Sequence, residues 1–171
     1  MILVTIGMND APYDSLFQRI DDLAPNLGEK IVMQVGNTGF FGKNTECFTY
    51  LNNSRMEELF DKADLVISHA GVGTIINALQ RNIPMVLVPR EVVKPDVTQD
   101  QQASVAKEVE SLGRGVVLTN LDDLEDCIIR ARSLSFGPYS KNTSLCDYLA
   151  ELFSEINHRL ESKGKHRILL P

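Results

Sequence analysis

Short apolar runs alternate with stretches of helical periodicity along most of the chain, and this alternation most limits its fold. Residues 1–6 read Met1-Ile2-Leu3-Val4-Thr5-Ile6, and similar runs occupy 30–35, 64–68, 84–88 and 115–118. Runs this short, without strict polar alternation, read as strands buried on both faces. Leu16, Phe17, Ile20 and Leu23 recur at helical spacing, so 14–23 is expected to be an amphipathic helix. Further helices are expected at 54–62, opened by the capping box Ser54-Arg55-Met56-Glu57, and at 75–80, 98–112 and 121–131. A short strand is expected at 47–51. Loops are expected at 7–12, 36–46, 69–74 and 89–97, where glycine, asparagine and proline gather. Strands alternating with helices predict an α/β domain with a Rossmann-like parallel sheet flanked by helices. Such sheets take ligands at the carboxyl ends of their strands, which directs attention to the loops after Ile6, Ser68 and Val88.

The 171 residues fit one domain spanning 1–171, large enough to build its own core. Leu145, Leu149, Leu152, Phe153, Ile156 and Leu160 mark a C-terminal amphipathic helix at about 143–160, followed by a basic tail over 161–171. That helix suits either packing on its own core or docking to a partner. Hydrophobic residues make up 43% and charged residues 23%, which excludes a disordered or fibrous chain. No apolar run reaches the roughly 20 residues of a spanning helix. The first residues lack a basic leader, so a cytoplasmic location is expected. Lys and Arg number 17 against 23 Asp and Glu, for a net charge of −6, which argues against nucleic acid as a partner. Cys47, Cys127 and Cys146 form no CxxC pair, and His69, His158 and His166 are scattered. Neither a disulfide framework nor a metal site is expected.

The strongest local signal is Ser68-His69-Ala70-Gly71-Val72-Gly73-Thr74, which ends a strand and opens a helix. Glycines lacking Cβ admit a ligand close to the backbone, and a helix N-terminus presents free N–H groups and a positive dipole end. Together these suit a phosphate, although a plain tight turn would use the same glycines. The third small residue of a dinucleotide fingerprint is missing, since that position is Ile76. Gly36 to Gly42-Lys43-Asn44 fails the phosphate-loop pattern in both length and last residue. No Asp-x-Asp pair occurs, so a diphosphate would be met by backbone amides, a helix end and side chains such as His69 and Arg90. Thr98-Gln99-Asp100-Gln101-Gln102 groups carboxamides that suit sugar hydroxyls. Thr98 and Gln101 also fit a capping box, which leaves Gln102 as the better ligand candidate.

Taken in order, these stretches resemble the donor-binding C-terminal domain of GT-B glycosyltransferases. The branch is the one that includes the bacterial lipid-linked N-acetylglucosaminyltransferase of peptidoglycan synthesis. The resemblance is greatest to stand-alone small subunits of two-chain UDP-sugar transferases, of the dolichol-diphosphate N-acetylglucosaminyltransferase and bacterial exopolysaccharide kinds. It rests on Val4-Thr5-Ile6-Gly7, Gln34-Val35-Gly36, the His69-to-Thr74 block, Val88-Pro89-Arg90 and Asp100-Gln101-Gln102. It implies a UDP-sugar as substrate, with no cofactor and no metal. Gly7, His69, Gly71, Val72, Gly73 and Thr74 would hold the diphosphate, with Arg90 beside them. Asn77 stands at the ribose position, where relatives carry Glu. Gln101 and Gln102 would hold the donor sugar, and Tyr50 and Leu51 lie roughly where the base rests. His69 would stabilise charge on the leaving diphosphate, or else hold the loop by a backbone bond. No residue is assigned as general base. The resemblance further implies an inverting transfer to a lipid-linked acceptor, beside a membrane-anchored partner subunit that would bring the chain to the membrane face. Two other readings stand beside it: a non-catalytic nucleotide-sugar-binding regulatory module, and a stand-alone UDP-sugar epimerase or hydrolase.

Overall fold

The computed structural model describes residues 1–7, 13–93 and 101–137. The apolar runs become six parallel strands, β1 (Ile2–Thr5), β2 (Ile31–Gln34), β3 (Glu46–Phe48), β4 (Leu65–Ser68), β5 (Met85–Leu87) and β6 (Gly115–Val117). Their order in the sheet is β3-β2-β1-β4-β5-β6. The helices are α1 (Asp14–Leu27), α2 (Asn53–Lys62), α3 (Val72–Gln80), α4 (Arg90–Val93), α5 (Gln101–Ser111) and α6 (Leu124–Ser133), with a 3-10 turn at Leu121–Asp123. Every residue of β1, β2, β4 and β5 is buried, as a sheet covered on both faces requires.

Alternation along the strands divides the core. Ile2, Val4, Met33, Leu65, Ile67 and Val86 join Leu16, Phe17 and Ile20 of α1 and Leu124, Cys127 and Ile128 of α6 in one cluster. Leu3, Val32 and Val66 point to the opposite face and are equally buried. Each such side chain contributes about 1.5–3 kcal/mol by leaving water. The chain leaves β1 for β2 on one side and β4 for β5 on the other. The strand order therefore reverses between β1 and β4, where Thr5 stands in register with Ser68. Open sheets of this kind form their ligand crevice at that point.

The structure moves several expected boundaries. Helix α1 runs past 23 to Leu27, with Pro25 in its last turn. Proline has no N–H to give the carbonyl of Asp21. The Asn44 Nδ2 donates to that carbonyl instead, at 3.0 Å, so the helix continues. Asn52 rather than Ser54 caps α2, its side chain accepting from the Arg55 N–H at 3.0 Å. The strand expected at 47–51 is Glu46–Phe48, so Tyr50 and Leu51 lie beyond it. Helix α3 begins at Val72 rather than at 75, and the expected 89–97 loop contains the short α4. The helix expected at 121–131 opens with the 3-10 turn and reaches Ser133. Met8, Asn9, Thr98 and Asp100, and the helix and tail expected over 143–171, lie outside the described residues.

Candidate diphosphate-binding site

The turn after β4 is built around the His69 ring, which is 7% exposed. A Cβ added at Gly71 would stand 2.4 Å from its Cε1 and 2.5 Å from its Nε2, so no side chain fits there. A Cβ at Gly7, whose φ is +66°, would come within 3.1 Å of the same Cε1. The imidazole thus fills a notch between the two loops at the switch point. The ring of buried Tyr13 meets it edge-on, with centroids 6.4 Å apart. Between His69 and Gly71, Ala70 is buried with φ +65°, a conformation that costs an L-residue roughly 1–2 kcal/mol. The strain sits where the chain must turn from strand to helix within three residues.

Gly71 is the N-cap of α3, and no side chain among the described residues caps this end. The first bond back into the helix is from the Ile75 N–H to the Gly71 carbonyl, at 3.0 Å. The N–H groups of Val72, Gly73 and Thr74 belong to the first turn, whose donors have no partner within a helix. No acidic residue occupies that turn. A Cβ at Gly73 would meet nothing within 4 Å among the described residues, so these place no demand for glycine there. Glycine inside a helix gives up about 1 kcal/mol relative to alanine.

The other wall of the crevice rests on a buried polar row. Thr5 Oγ1 donates to Gln34 Oε1 at 2.5 Å and accepts the Gly7 N–H at 3.2 Å. Thr5 is 2%, Gln34 5% and Ser68 1% exposed. Among the described residues, Ser68 Oγ has no hydrogen-bond partner. Sequence reading placed Thr5, Gln34, Ser68 and Ala70 inside its motif stretches but gave none of them, nor Tyr13, a role at the site. Beyond those stretches, the signal was polar residues closing otherwise apolar strands.

The remaining candidates divide. Asn77 lies one turn along α3, but its carboxamide is engaged within the protein. Its Nδ2 donates to the Gly73 carbonyl at 3.0 Å, and its Oδ1 accepts from Arg81 Nη1 at 3.0 Å. Arg81 also pairs with Asp61 at 2.7 Å and with Glu57, and its guanidinium lies over the Phe60 ring. Burial alone would lower its pKa, but the two carboxylates of α2 more than reverse this and hold it above the ordinary value. Arg90 opens α4 with its Nε buried, and Gln102 stands in the first turn of α5 with its Oε1 buried. Gln101 begins the same helix. A cavity of about 340 Å³ opens beside them, among Pro89, Val92, Ala103, Lys107 and Leu118. Tyr50 and Leu51 lie past the edge strand, which two strands separate from β4. The structure therefore gathers Gly7, His69, Gly71, Val72, Gly73 and Thr74 at one point. Arg90 and Gln102 follow the neighbouring β5, while Tyr50 and Leu51 stand apart.

Strand order and glycine turn define a doubly wound, Rossmann-like α/β domain. The chain belongs to the glycosyltransferase family 28 C-terminal domain family, whose model matches residues 1–130. It is similar to the human UDP-N-acetylglucosamine transferase subunit ALG13, at 33% identity over 105 residues, covering 58% of this chain and 8% of the human one. The ALG13 subunit of Eremothecium gossypii is 27% identical over 116 residues, covering 67% of this chain and 54% of the other. The UDP-N-acetylglucosamine–N-acetylmuramyl-(pentapeptide) pyrophosphoryl-undecaprenol N-acetylglucosamine transferase of Oenococcus oeni is 27% identical over 106 residues, 62% of this chain and 27% of that one. The chain thus spans about half of the Eremothecium protein and far less of the human and Oenococcus ones. Among solved structures, the kitacinnamycin glycosyltransferase shares the fold at TM-score 0.62 and 19% identity, over 96% of this chain and 40% of that one. A UDP-GlcNAc 2-epimerase of Methanocaldococcus jannaschii does so at TM-score 0.59 and 11% identity, over 90% and 45%. One fold thus carries both transfer and epimerisation, so the function must be argued from the site.

Proposed function

We propose that this chain is the donor-binding subunit of a UDP-sugar glycosyltransferase. The observation that carries this reading is the uncapped start of α3, set at the switch point beside Gly7, His69 and Gly71. The first-turn amides and the helix dipole meet the diphosphate, with Arg90 adding a cation. Gly73 fits the same reading, since the fold does not ask for glycine there and a close-lying phosphate does. Gln101 and Gln102 hold the donor sugar, an N-acetylglucosamine-type hexose in keeping with the names of the relatives. The acceptor hydroxyl forms the new bond at the anomeric carbon from the face opposite the diphosphate, the bond to the β-phosphate oxygen breaks, and the configuration inverts. His69 stabilises the charge left on the diphosphate, and no metal takes part. The acceptor is lipid-linked. A membrane-anchored partner subunit supplies the base and the acceptor site, and holds this chain at the cytoplasmic face.

The internally engaged Asn77 supports a second reading, a regulatory module that binds the nucleotide sugar without catalysing transfer. Calorimetric titration with UDP and a panel of UDP-sugars, repeated with the partner and a labelled donor, separates the two. Binding with transfer in the complex supports the subunit. Binding without transfer supports the module, and turnover by the isolated chain supports a stand-alone epimerase or hydrolase. In a competent complex, His69→Ala is expected to reduce transfer by at least about tenfold, the loss of one charge-assisted hydrogen bond, and Gln102→Ala by about twofold to tenfold, the loss of a neutral one.

A further inference from the structure

We propose that Thr5, aligned by Gln34, is a positioning residue that sets the His69 ring and through it the diphosphate turn. The inference rests on the reading of the α3 start as a UDP-diphosphate site. A hydroxyl carries one proton. Thr5 Oγ1 donates its one hydrogen bond to Gln34 Oε1 at 2.5 Å, so its oxygen is left as an acceptor, and the Gly7 N–H donates to it at 3.2 Å. These bonds lie among residues 2% and 5% exposed, where little water competes. They fix the left-handed Gly7, and Gly7 closes one side of the notch in which His69 sits. Gly71 closes the other side and is the N-cap of α3. One contiguous chain of contacts thus links Gln34 on β2, Thr5 at the end of β1, Gly7 after it, His69 after β4 and the first turn of α3. Leucine and valine occupy the matching strand-end positions on the far side, Leu87 and Val117, so a polar pair is not what the sheet as such requires.

Thr5→Val leaves the buried Gln34 Oε1 without its donor and can unfold the chain for that reason alone. Thr5→Val with Gln34→Leu removes both partners, a change that is close to neutral for stability. The double variant is expected to melt within a few degrees of the parent while its Kd for UDP rises about fivefold to twentyfold. Thr5→Ser, which keeps the hydroxyl, restores the parent Kd. In a His69→Ala background the double variant adds less than about twofold, because the effect passes through the ring. The nuclear magnetic resonance signal of the His69 Cε1–H, read without ligand, is expected to shift or broaden in the double variant and to match the parent in Thr5→Ser. An unchanged ring signal overturns the proposal whether or not UDP binds. So does a parent-like Kd in the double variant, or an undiminished effect in the His69→Ala background. A parent that fails to bind UDP at millimolar concentration sinks the reading of the site instead, and the ring signal still decides the coupling.

Discussion

Three glycines at the site have three different reasons to be glycine, and substitution separates them. At Gly71 the backbone is ordinary (φ −69°), and the need comes from the His69 ring, 2.4 Å from an added Cβ. At Gly7 the need is conformational as well as steric. At Gly73 the fold supplies no reason at all. Gly71→Ala is therefore expected to lose about 1–3 kcal/mol of stability, the usual toll of overpacking. His69→Ala added to it should return part of that loss. Gly73→Ala is expected to hold or raise stability by up to about 1 kcal/mol through helix propensity, while UDP binding weakens at least about tenfold. Thermal melts and UDP titrations of the two variants make the comparison. A Gly73→Ala variant that binds UDP as the parent does would remove the ligand from that turn.

At the scale of elements, the glycine-rich stretch 36–46 is held by one buried carboxylate. Asp21 is 2% exposed, and Thr45 Oγ1 at 2.7 Å, the Asn44 N–H at 2.9 Å and the Lys43 N–H at 3.0 Å all donate to it. Burial alone would push its pKa up, but the bond from Thr45 and those from the two backbone amides outweigh burial and bring it below 3.8. A depressed carboxyl contributes stability above its unfolded value, and that stability is lost as the pH falls through the folded value. Asp21→Asn is expected to cost about 2 kcal/mol at neutral pH, and the gap should shrink as the pH falls from neutral into the acid range, through the lowered folded value. Urea denaturation at both ends of that range tests it, and a gap of equal size at both would show that the charge is not what holds the loop. None of this was legible in the sequence, where 36–46 reads only as a loop and Pro25 argues against the helix that contains it. Asn44, 19 residues beyond, supplies what Pro25 cannot, and such long-range compensation leaves no local pattern. The α3 boundary was missed for a related reason. Val72, Gly73 and Thr74 have poor intrinsic helix propensity, and what holds them helical is the packing of Ile75, Ala78 and Leu79 behind them. The strands were legible because a parallel sheet buried on both faces tolerates almost nothing but apolar residues. The glycine turn was legible because its residue types are rare together. The notch that makes Gly71 obligatory depends on where the His69 ring points, which no spacing reveals.

At the scale of the molecule, the proposed diphosphate contacts lie along one side of the sheet, at the carboxyl ends of β1 and β4. If the nucleotide half of the donor is held there and the acceptor half belongs to the proposed partner, binding and transfer separate cleanly. The isolated chain should then take up UDP, and a UDP-sugar up to about tenfold more tightly, because Gln101 and Gln102 add sugar contacts to the shared diphosphate ones. At a ligand concentration of about 100 times Kd, the gain in stability is about 2.7 kcal/mol. For a chain of this size that corresponds to a rise of roughly 5–10 °C in the melting temperature, readable without any partner. Transfer should appear only when the proposed membrane-anchored chain is added, and the margin by which the UDP-sugar binds more tightly than UDP should then widen, because the sugar is enclosed from both sides. Equal affinities in the complex would place the sugar outside the shared cleft. Steady release of UDP from UDP-sugar by the isolated chain would mean that the water or base needed for chemistry is already present on this side, and the division of labour would have to be redrawn around Arg90, Gln102 and the cavity beside them.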